Sequence, residues 1–372
     1  MNSVDIVVCG HLCLDLLPKM DHVDAQALAS PGKLSEVGPL GISTGGAVSN
    51  TGLALHRLGA NVALMSNVGS DLLGQMIIAF LEKRDSSLTR FIRVREGQES
   101  SYTIVLSPEK IDRVFLHCTG TNALFGSLDV DYAMVDHAKI FHLGYPPILP
   151  RMYAKDGDEL VEIFRKVHQA GVITSLDMSL PDPSSESGHA NWHRILERVL
   201  PNVDVFVPSI EEALFMVHPE QQKTMRRAWH EFATLSYLRD LADELLAMGN
   251  CALVGFKLGE YGVYLKSGSA QRMRRIFKRI GHVNIAPESE QFHPAFLVDV
   301  VGTTGAGDSA YGALLLSIIR GESLEVCTQM MCAVGAHNVE AADATSGVRS
   351  WDETVIRIQA GWKTSALTLR AV

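Results

Sequence analysis

Gly302, Gly305 and Gly307 lie between the segment Val-Asp-Val-Val (298–301) and an apolar stretch from Ala310 to Ile319, and Asp308 stands where that stretch should begin as a helix. Glycines let backbone amides approach a ligand with no side chain in the way. A strand, a glycine turn and a helix N-terminus aim several free N–H groups at one point, and the helix dipole reinforces them. This pattern binds phosphate, or stabilises charge developing on one; such a preorganised donor is worth about 2.7 to 4 kcal/mol in a transition state. A carboxylate beside it can accept the proton of a hydroxyl that attacks the phosphate. Phosphoryl transfer asks for that combination of positioning, charge neutralisation and one orienting carboxylate. Gly305, Ala306 and Gly307 then read as anion hole and Asp308 as base, with the dipole and nearby N–H groups expected to hold its pKa down.

Two other readings compete. Gly305-Ala-Gly307-x-x-Ala310 matches the dinucleotide fingerprint, which needs a second parallel strand ending in an acid about 20 residues on. Glu325 has the spacing, but it opens a helical stretch, Leu324–Ala341, so the required strand is missing. Alternatively Asp308 only caps its helix, which leaves three preceding glycines without a reason.

The rest of the chain must position this loop. Val4–Cys9, Val62–Met65, Lys139–Leu143, Val172–Leu176, Val203–Val207 and Cys251–Phe256 read as strands. Asn50–Leu58 and Glu159–Ala170 read as helices closed by Gly59 and Gly171, and Asp71 as the cap of another. Strand–helix alternation with continuous apolar strands argues for an α/β fold, a mostly parallel sheet covered on both faces. Ser101–Ser107 and Arg113–His117 alternate polar and apolar about a turn-rich Pro-Glu-Lys-Ile-Asp, the signature of a hairpin with one wet face. The unhelical segment from about Leu14 to Leu40 could join it in a small secondary sheet, a candidate lid. No long linker divides the chain, so residues 1–372 read as one domain carrying a discontinuous lid, about 14–40 and 98–119. Gln222–Met248 reads as one or two partly exposed helices. In Gln271–His282 five basic residues fall within eight positions, either a polyanion patch or a solvated face.

Length and composition fit a soluble globular protein: 372 residues, 47% hydrophobic and 20% charged. A net charge of −9 gives no reason to expect nucleic acid or an anionic membrane as partner. The longest apolar run, around Leu314–Ile319, is too short for a bilayer, and MNSVDIVVCG carries no basic leader, so a cytoplasmic protein is expected. The six cysteines form no C-x-x-C pair and the fourteen histidines no H-E-x-x-H, which argues for reduced thiols and against a zinc site.

The loop Gly302-Thr-Thr-Gly-Ala-Gly-Asp308 with its buried helix resembles the second signature of the ribokinase-like (PfkB) carbohydrate kinases. GGAVSNTGLALHRLGANVALMSNVGSDLLGQ, Gly45 to Gln75, resembles the first. The resemblance runs from the N-terminal strand to the segment near Gly347. It implies a three-layer α/β/α domain with a small β-sheet lid that closes over a sugar and excludes water. It implies an ATP- and Mg²⁺-dependent kinase acting on a hydroxyl, a hydroxymethyl by preference, of a sugar or sugar-like molecule. It also implies Asp308 as base with Gly305, Ala306 and Gly307 as anion hole. Asp15, ending Gly10-His-Leu-Cys-Leu-Asp, and Gly45, Gly46 and Asn50 match the residues that hold the sugar. Glu212 matches the acid that organises magnesium indirectly, although Ser209 replaces the family's asparagine. Lys257, Gly259, Thr303 and Asn338 fall where the family approaches the nucleotide. Ser101, Thr103 and Asp177 stand where sugar choice is expected to be made.

Gly302 departs from the pattern, since the family usually has aspartate there and its potassium-activated members use it in their cation loop; potassium activation is therefore in doubt. The lid sheet is a dimer interface in many relatives, so the resemblance implies a homodimer through the lid. Two alternatives stay open: a nucleoside kinase of the same family, and a sugar- or nucleotide-sensing protein without catalysis.

Overall fold

In the computed structural model, which describes residues 4–20, 23, 28, 30–108, 114–367 and 369, the apolar runs become strands, and those inside the sheet are buried almost from end to end. Nine of them form one sheet: β1 (Ile6–Gly10), β4 (Val62–Gly69), β5 (Phe91–Arg95), β8 (Ile140–Gly144), β9 (Ile173–Asp177), β10 (Val205–Phe206), β11 (Leu253–Lys257), β12 (Val263–Ser267) and β13 (Glu290–His293). Their spatial order is β13-β12-β11-β10-β9-β8-β1-β4-β5, parallel from β5 to β11, with β12 and β13 added antiparallel at one edge.

Successive residues of a strand serve opposite faces, and β1 shows it. Ile6 and Val8 enter one core and Val7 and Cys9 the other. The first core is closed by α1 (Ala47–Arg57), α2 (Leu72–Glu82), α6 (Ala306–Arg320) and α7 (Leu324–Val339). The second lies under α3 (Asp158–Gln169) and the helices Trp192–Val199, α4 (Ile210–Val217) and Leu235–Met248. Burial on both sides is why the strands read as continuous apolar runs. The outcome is the expected three-layer architecture with a smaller second sheet.

That second sheet has the order β3-β2-β6-β7, from β2 (Cys13–Pro18), β3 (Leu40–Gly45), β6 (Tyr102–Leu106) and β7 (Val114–Cys118). β2 and β6 pair in parallel, and the outer pairs are antiparallel. β6 and β7 pair antiparallel as the hairpin expected from the alternation, and residues 109–113 between them lie outside the described residues. The segment 14–40 supplies β2 but only the first residue of β3. Glycines at 41 and 45 weaken the strand signal there. Residues 21–22, 24–27 and 29 of that segment also lie outside the described residues.

Asp71 caps α2 as expected, accepting from the Gly74 N–H at 2.8 Å. The interval 222–248 spans the end of the helix Pro219–Met225, a 3₁₀ turn and Leu235–Met248. The basic segment falls on α5 (Ala270–Ile280), which buries Met273 and Ile276. Two of its five cations are tethers: Arg275 pairs with the buried Asp204 at 2.9 Å, and Arg279 donates to the carbonyls of Asp136 and Ala138. All six cysteines are unpaired. No helix among the described residues is long and apolar enough to cross a membrane.

Candidate active site

Connections run from β1 outward to β4 on one side and from β8 onward to β9 on the other, so the sheet has a switch point between β1 and β8, where Gly10 pairs with Gly144. Ligands in such sheets bind beyond the carboxyl ends of the strands at this crevice. The polar residues collect there. His11 follows β1, Tyr145 follows β8, Asp177 ends β9, Ser209 and Glu212 follow β10, and Lys257 ends β11.

The N-terminus of α6 points into the same crevice. Its N-cap is Gly305, at φ +75°, where a side chain would run into the Ala344 carbonyl. First-turn N–H groups such as those of Gly307 and Asp308 have no helical acceptor by geometry. Asp308 is buried, and its carboxylate accepts from Tyr145 OH at 2.6 Å, Asn50 Nδ2 at 3.1 Å and Thr51 Oγ1 at 3.3 Å. Its pKa is raised: burial outweighs the Tyr145 hydroxyl, the Lys257 charge and the two α1 donors that pull it down. The expectation of a lowered pKa is thereby corrected. A helix dipole acts at a solvated end, whereas this carboxylate has lost its water. Its conjugate acid is correspondingly weaker, which favours taking up a proton.

Lys257 Nζ donates to Asp177 Oδ1 at 2.6 Å and lies 5.4 Å from the Tyr311 ring centroid. A Cβ built on Gly307 would sit 3.7 Å from that same ammonium. Lys257 is influenced by Asp177, Glu212 and Asp308 together, so two buried carboxylates and one half-buried carboxylate share one cation. Burial pushes Asp177 up to about 7, against Lys257 and with help from Glu212 and Asp308, and its Oδ2 has no hydrogen-bond partner. Burial likewise raises Glu212. Ser209 and Glu212 form a capping box on α4: Glu212 Oε2 accepts from the Ser209 N–H at 2.7 Å, and Ser209 Oγ accepts from the Glu212 N–H at 3.2 Å. Serine is a good N-cap, which accounts for its acceptability at this position.

Asp15, in β2, is pushed up to about 6 by burial, with Cys13 and Thr103 as opposing hydrogen-bond donors. Gly45 backs directly onto its carboxylate. Gly46, the N-cap of α1 at φ +86°, backs onto His11, and any side chain there would meet both the imidazole and the His11 carbonyl. The left-handed residue turns the chain from β3 into α1 three residues earlier than the sequence suggested, and puts Asn50 in the first turn. Asp15 and Asp308 are thus joined through one short unit: Gly45 touches the first, and Asn50 binds the second.

A cleft of about 990 Å³ opens beside α6, lined by Lys257, Gly259, Glu212, Thr303, Asp308 and the loop 305–307, with Ala336 and Val339 among its apolar walls. Asp308 lines this cleft and binds Asn50, so it belongs to both groups. Asn338 is placed differently. It is buried, donating to the Thr304 carbonyl at 2.8 Å and accepting from Ser309 Oγ at 3.3 Å, and so braces the glycine loop from behind. At Gly302 a Cβ would lie 2.9 Å from the carbonyl oxygens of Ala341 and Ala342, which is too close for an aspartate.

Three contributors escaped the sequence reading. Thr51 adjoins Asn50 on α1. Tyr145 holds a left-handed conformation (φ 65°, ψ 44°), which non-glycine residues adopt rarely and at functional sites. Its place between Gly144 and Pro146 at a strand end was the available signal. Tyr311 donates to the Leu176 carbonyl at 2.9 Å and anchors α6 against the ends of the central strands; within an apolar helix it looked like ordinary core.

The pfkB family carbohydrate kinase model matches residues 4–351. An uncharacterized sugar kinase of Archaeoglobus fulgidus is 26% identical over 296 residues, covering 80% of this chain and 98% of its own. The 2-dehydro-3-deoxygluconokinase of Bacillus subtilis is 26% identical over 318 residues, 85% of this chain and 87% of its own. Among solved structures, Arabidopsis thaliana ribokinase complexed with ribose and ATP superposes with a TM-score of 0.72 at 17% identity, covering 95% of this chain and 98% of that one.

Proposed function

The chain belongs to the pfkB family of carbohydrate kinases, and from that membership we propose that it transfers the γ-phosphoryl group of ATP to a hydroxyl, by preference a hydroxymethyl, of a sugar or sugar-like acceptor. One observation carries the reading. Asp308 is a buried carboxylate of raised basicity set at a glycine-loop helix N-terminus, with Lys257 at the mouth of the loop.

Asp308 takes the acceptor's proton as the hydroxyl oxygen bonds to phosphorus and the bond to ADP breaks. Gly305, Ala306 and Gly307 supply N–H groups to the phosphoryl oxygens, and Lys257 adds a positive charge. Asp15 and Asn50, with the Gly45–Gly46 pair behind them, hold the acceptor. Thr303 and Gly259 line the nucleotide's cleft, and Asn338 keeps the loop in place. The donor set suits magnesium, which takes one or two carboxylates plus phosphate oxygens. Glu212 and the unpartnered Asp177 Oδ2 are available, and among the described residues no cluster of three or more acidic, histidine or cysteine side chains forms a protein-only cage. The ion supplies charge neutralisation at the transferring phosphoryl group. The second sheet acts as the lid, and the exposed Val114, Phe115 and Leu116 on β7 support a homodimer through it.

Asp308→Asn should lower kcat by about 10²-fold or more while nucleotide binding stays near normal. Turnover like that of the parent removes Asp308 as base. Nucleosides run beside sugars test the nucleoside-kinase alternative, and ligand binding without ADP release in the parent points to a sensor.

A further inference from the structure

Ser43, Asp15, Thr103 and His117 form a lateral row across the second sheet. Asp15 is the register partner of both Ser43 and Thr103, and Thr103 that of His117. Register partners project from the same face, and this is the face on which Gly45 backs the Asp15 carboxylate. The row is also wired together. His11 Nε2 lies 3.4 Å from His117 Nε2, His117 Nδ1 lies 3.0 Å from Thr103 Oγ1, Thr103 Oγ1 lies 3.6 Å from Cys13 Sγ, and Cys13 donates to Asp15 Oδ1 at 3.3 Å.

One tautomer assignment serves every link. His11 donates from Nε2, His117 accepts there and donates from Nδ1 to Thr103, Thr103 donates to Cys13, and the Cys13 thiol donates to Asp15. It leaves His11 Nδ1 as a bare acceptor, and that nitrogen is buried without a hydrogen-bond partner. The surface offered to a ligand therefore consists of hydroxyl, imidazole and one carboxylate. Among the described residues Asp15 forms no ion pair with a lysine or arginine; its carboxylate meets Cys13 Sγ at 3.3 Å, and the His11 ring meets that of His117. Lys19, further along the chain past β2, stands four residues beyond Asp15, about 13 Å at the strand rise.

We infer that this row is the acceptor subsite for an uncharged, hydroxyl-rich sugar and that it discriminates against sugar acids, an inference that rests on the kinase reading above. Hydroxyls satisfy an ionised Asp15 and neutral imidazoles. A carboxylated acceptor brings a second negative charge beside Asp15 with no described cation to offset it. Among the similar proteins, a ribokinase complexed with ribose and a 2-dehydro-3-deoxygluconokinase fall on opposite sides of this division. His11 and His117 are positioning residues, acting through Thr103 and Asp15.

The test uses the full chain at pH 8 with ATP and Mg²⁺, comparing D-ribose and D-fructose with 2-dehydro-3-deoxygluconate and D-gluconate. ADP release is measured together with calorimetric acceptor binding. The expected result is kcat/KM at least about 100-fold higher for a neutral sugar than for either acid. Thr103→Val and His117→Leu should each raise the acceptor KM about tenfold without moving the ATP KM, and His117→Arg should narrow the gap between neutral and acidic acceptors. Equal or better use of an acid overturns the inference, as does binding of neither class. Neutral-sugar binding without ADP release leaves the subsite standing and overturns the kinase reading instead.

Discussion

Lys257 Nζ lies 2.6 Å from Asp177 Oδ1 while standing beside Gly307, so a single ammonium serves both a buried carboxylate and the glycine loop. Asp177, Glu212 and Asp308 outnumber it three to one. Burial raises the pKa of all three, so the fold gathers three reluctant acids around one cation before any phosphate arrives.

The imbalance has a pH signature. Asp177 is raised to about 7 in the fold, while an unfolded aspartate titrates near 4, at roughly 3.9. Between those values the folded chain binds a proton that the unfolded chain does not, so stability falls as pH rises through the window and the penalty is complete above about 7. Asp177→Asn removes the titration. Its Tm relative to the parent should therefore climb from pH 5 to pH 8 in thermal melts; a difference independent of pH contradicts the account.

Asp15 titrates near 6 because burial raises it, so its ionised form is present only above that pH. Below about 6 the protonated carboxyl loses acceptor capacity toward hydroxyls. Acceptor KM should rise as pH falls from 7 to 5, with ATP KM steady, and the limb should vanish in Asp15→Asn. Initial-rate kinetics over that range decide it.

Tyr145 is the foremost of the groups holding Asp308 down. In Tyr145→Phe that donor is gone, Asp308 becomes harder to ionise, and the acid limb of kcat/KM should move to higher pH with kcat at pH 7 reduced severalfold. An unmoved limb would show that the tyrosine only packs.

The two adjacent glycines should fail differently. Gly46→Ala faces a left-handed backbone and the His11 carbonyl, so roughly 1–3 kcal/mol of stability should be lost. Gly45→Ala directs its methyl at the Asp15 carboxylate, and should raise acceptor KM about tenfold with a smaller change in Tm. Melting curves alongside kinetics separate the two.

Six of the sheet's nine strands were legible because they are buried on both faces, whereas β12 and the partly exposed β5 and β13 were not read; the loop at 302–308 was legible because glycine spacing and a misplaced charge are local signals. What escaped depended on distance along the chain. Burial raises the pKa of Asp308 against the pull of Tyr145, Asn50 and Thr51, none of which is near it in sequence. Asn338 looked like a nucleotide neighbour, but its hydrogen bonds turn it toward the loop. Capping explains why serine is accepted at 209, a reason visible only when the Glu212 carboxylate is seen returning to the Ser209 N–H.

In the second sheet, Leu14 is buried in the core and Leu16 packs against it, while Asp15 between them lies on the opposite face, where the acceptor is proposed to bind. Recognition and folding thus occupy alternate letters of the same strand. Substrate preference can drift by exchanging residues such as 15, 103 and 117 while the interleaved apolar residues stay as they are. A lineage built on this scaffold could change its diet without first rebuilding its architecture.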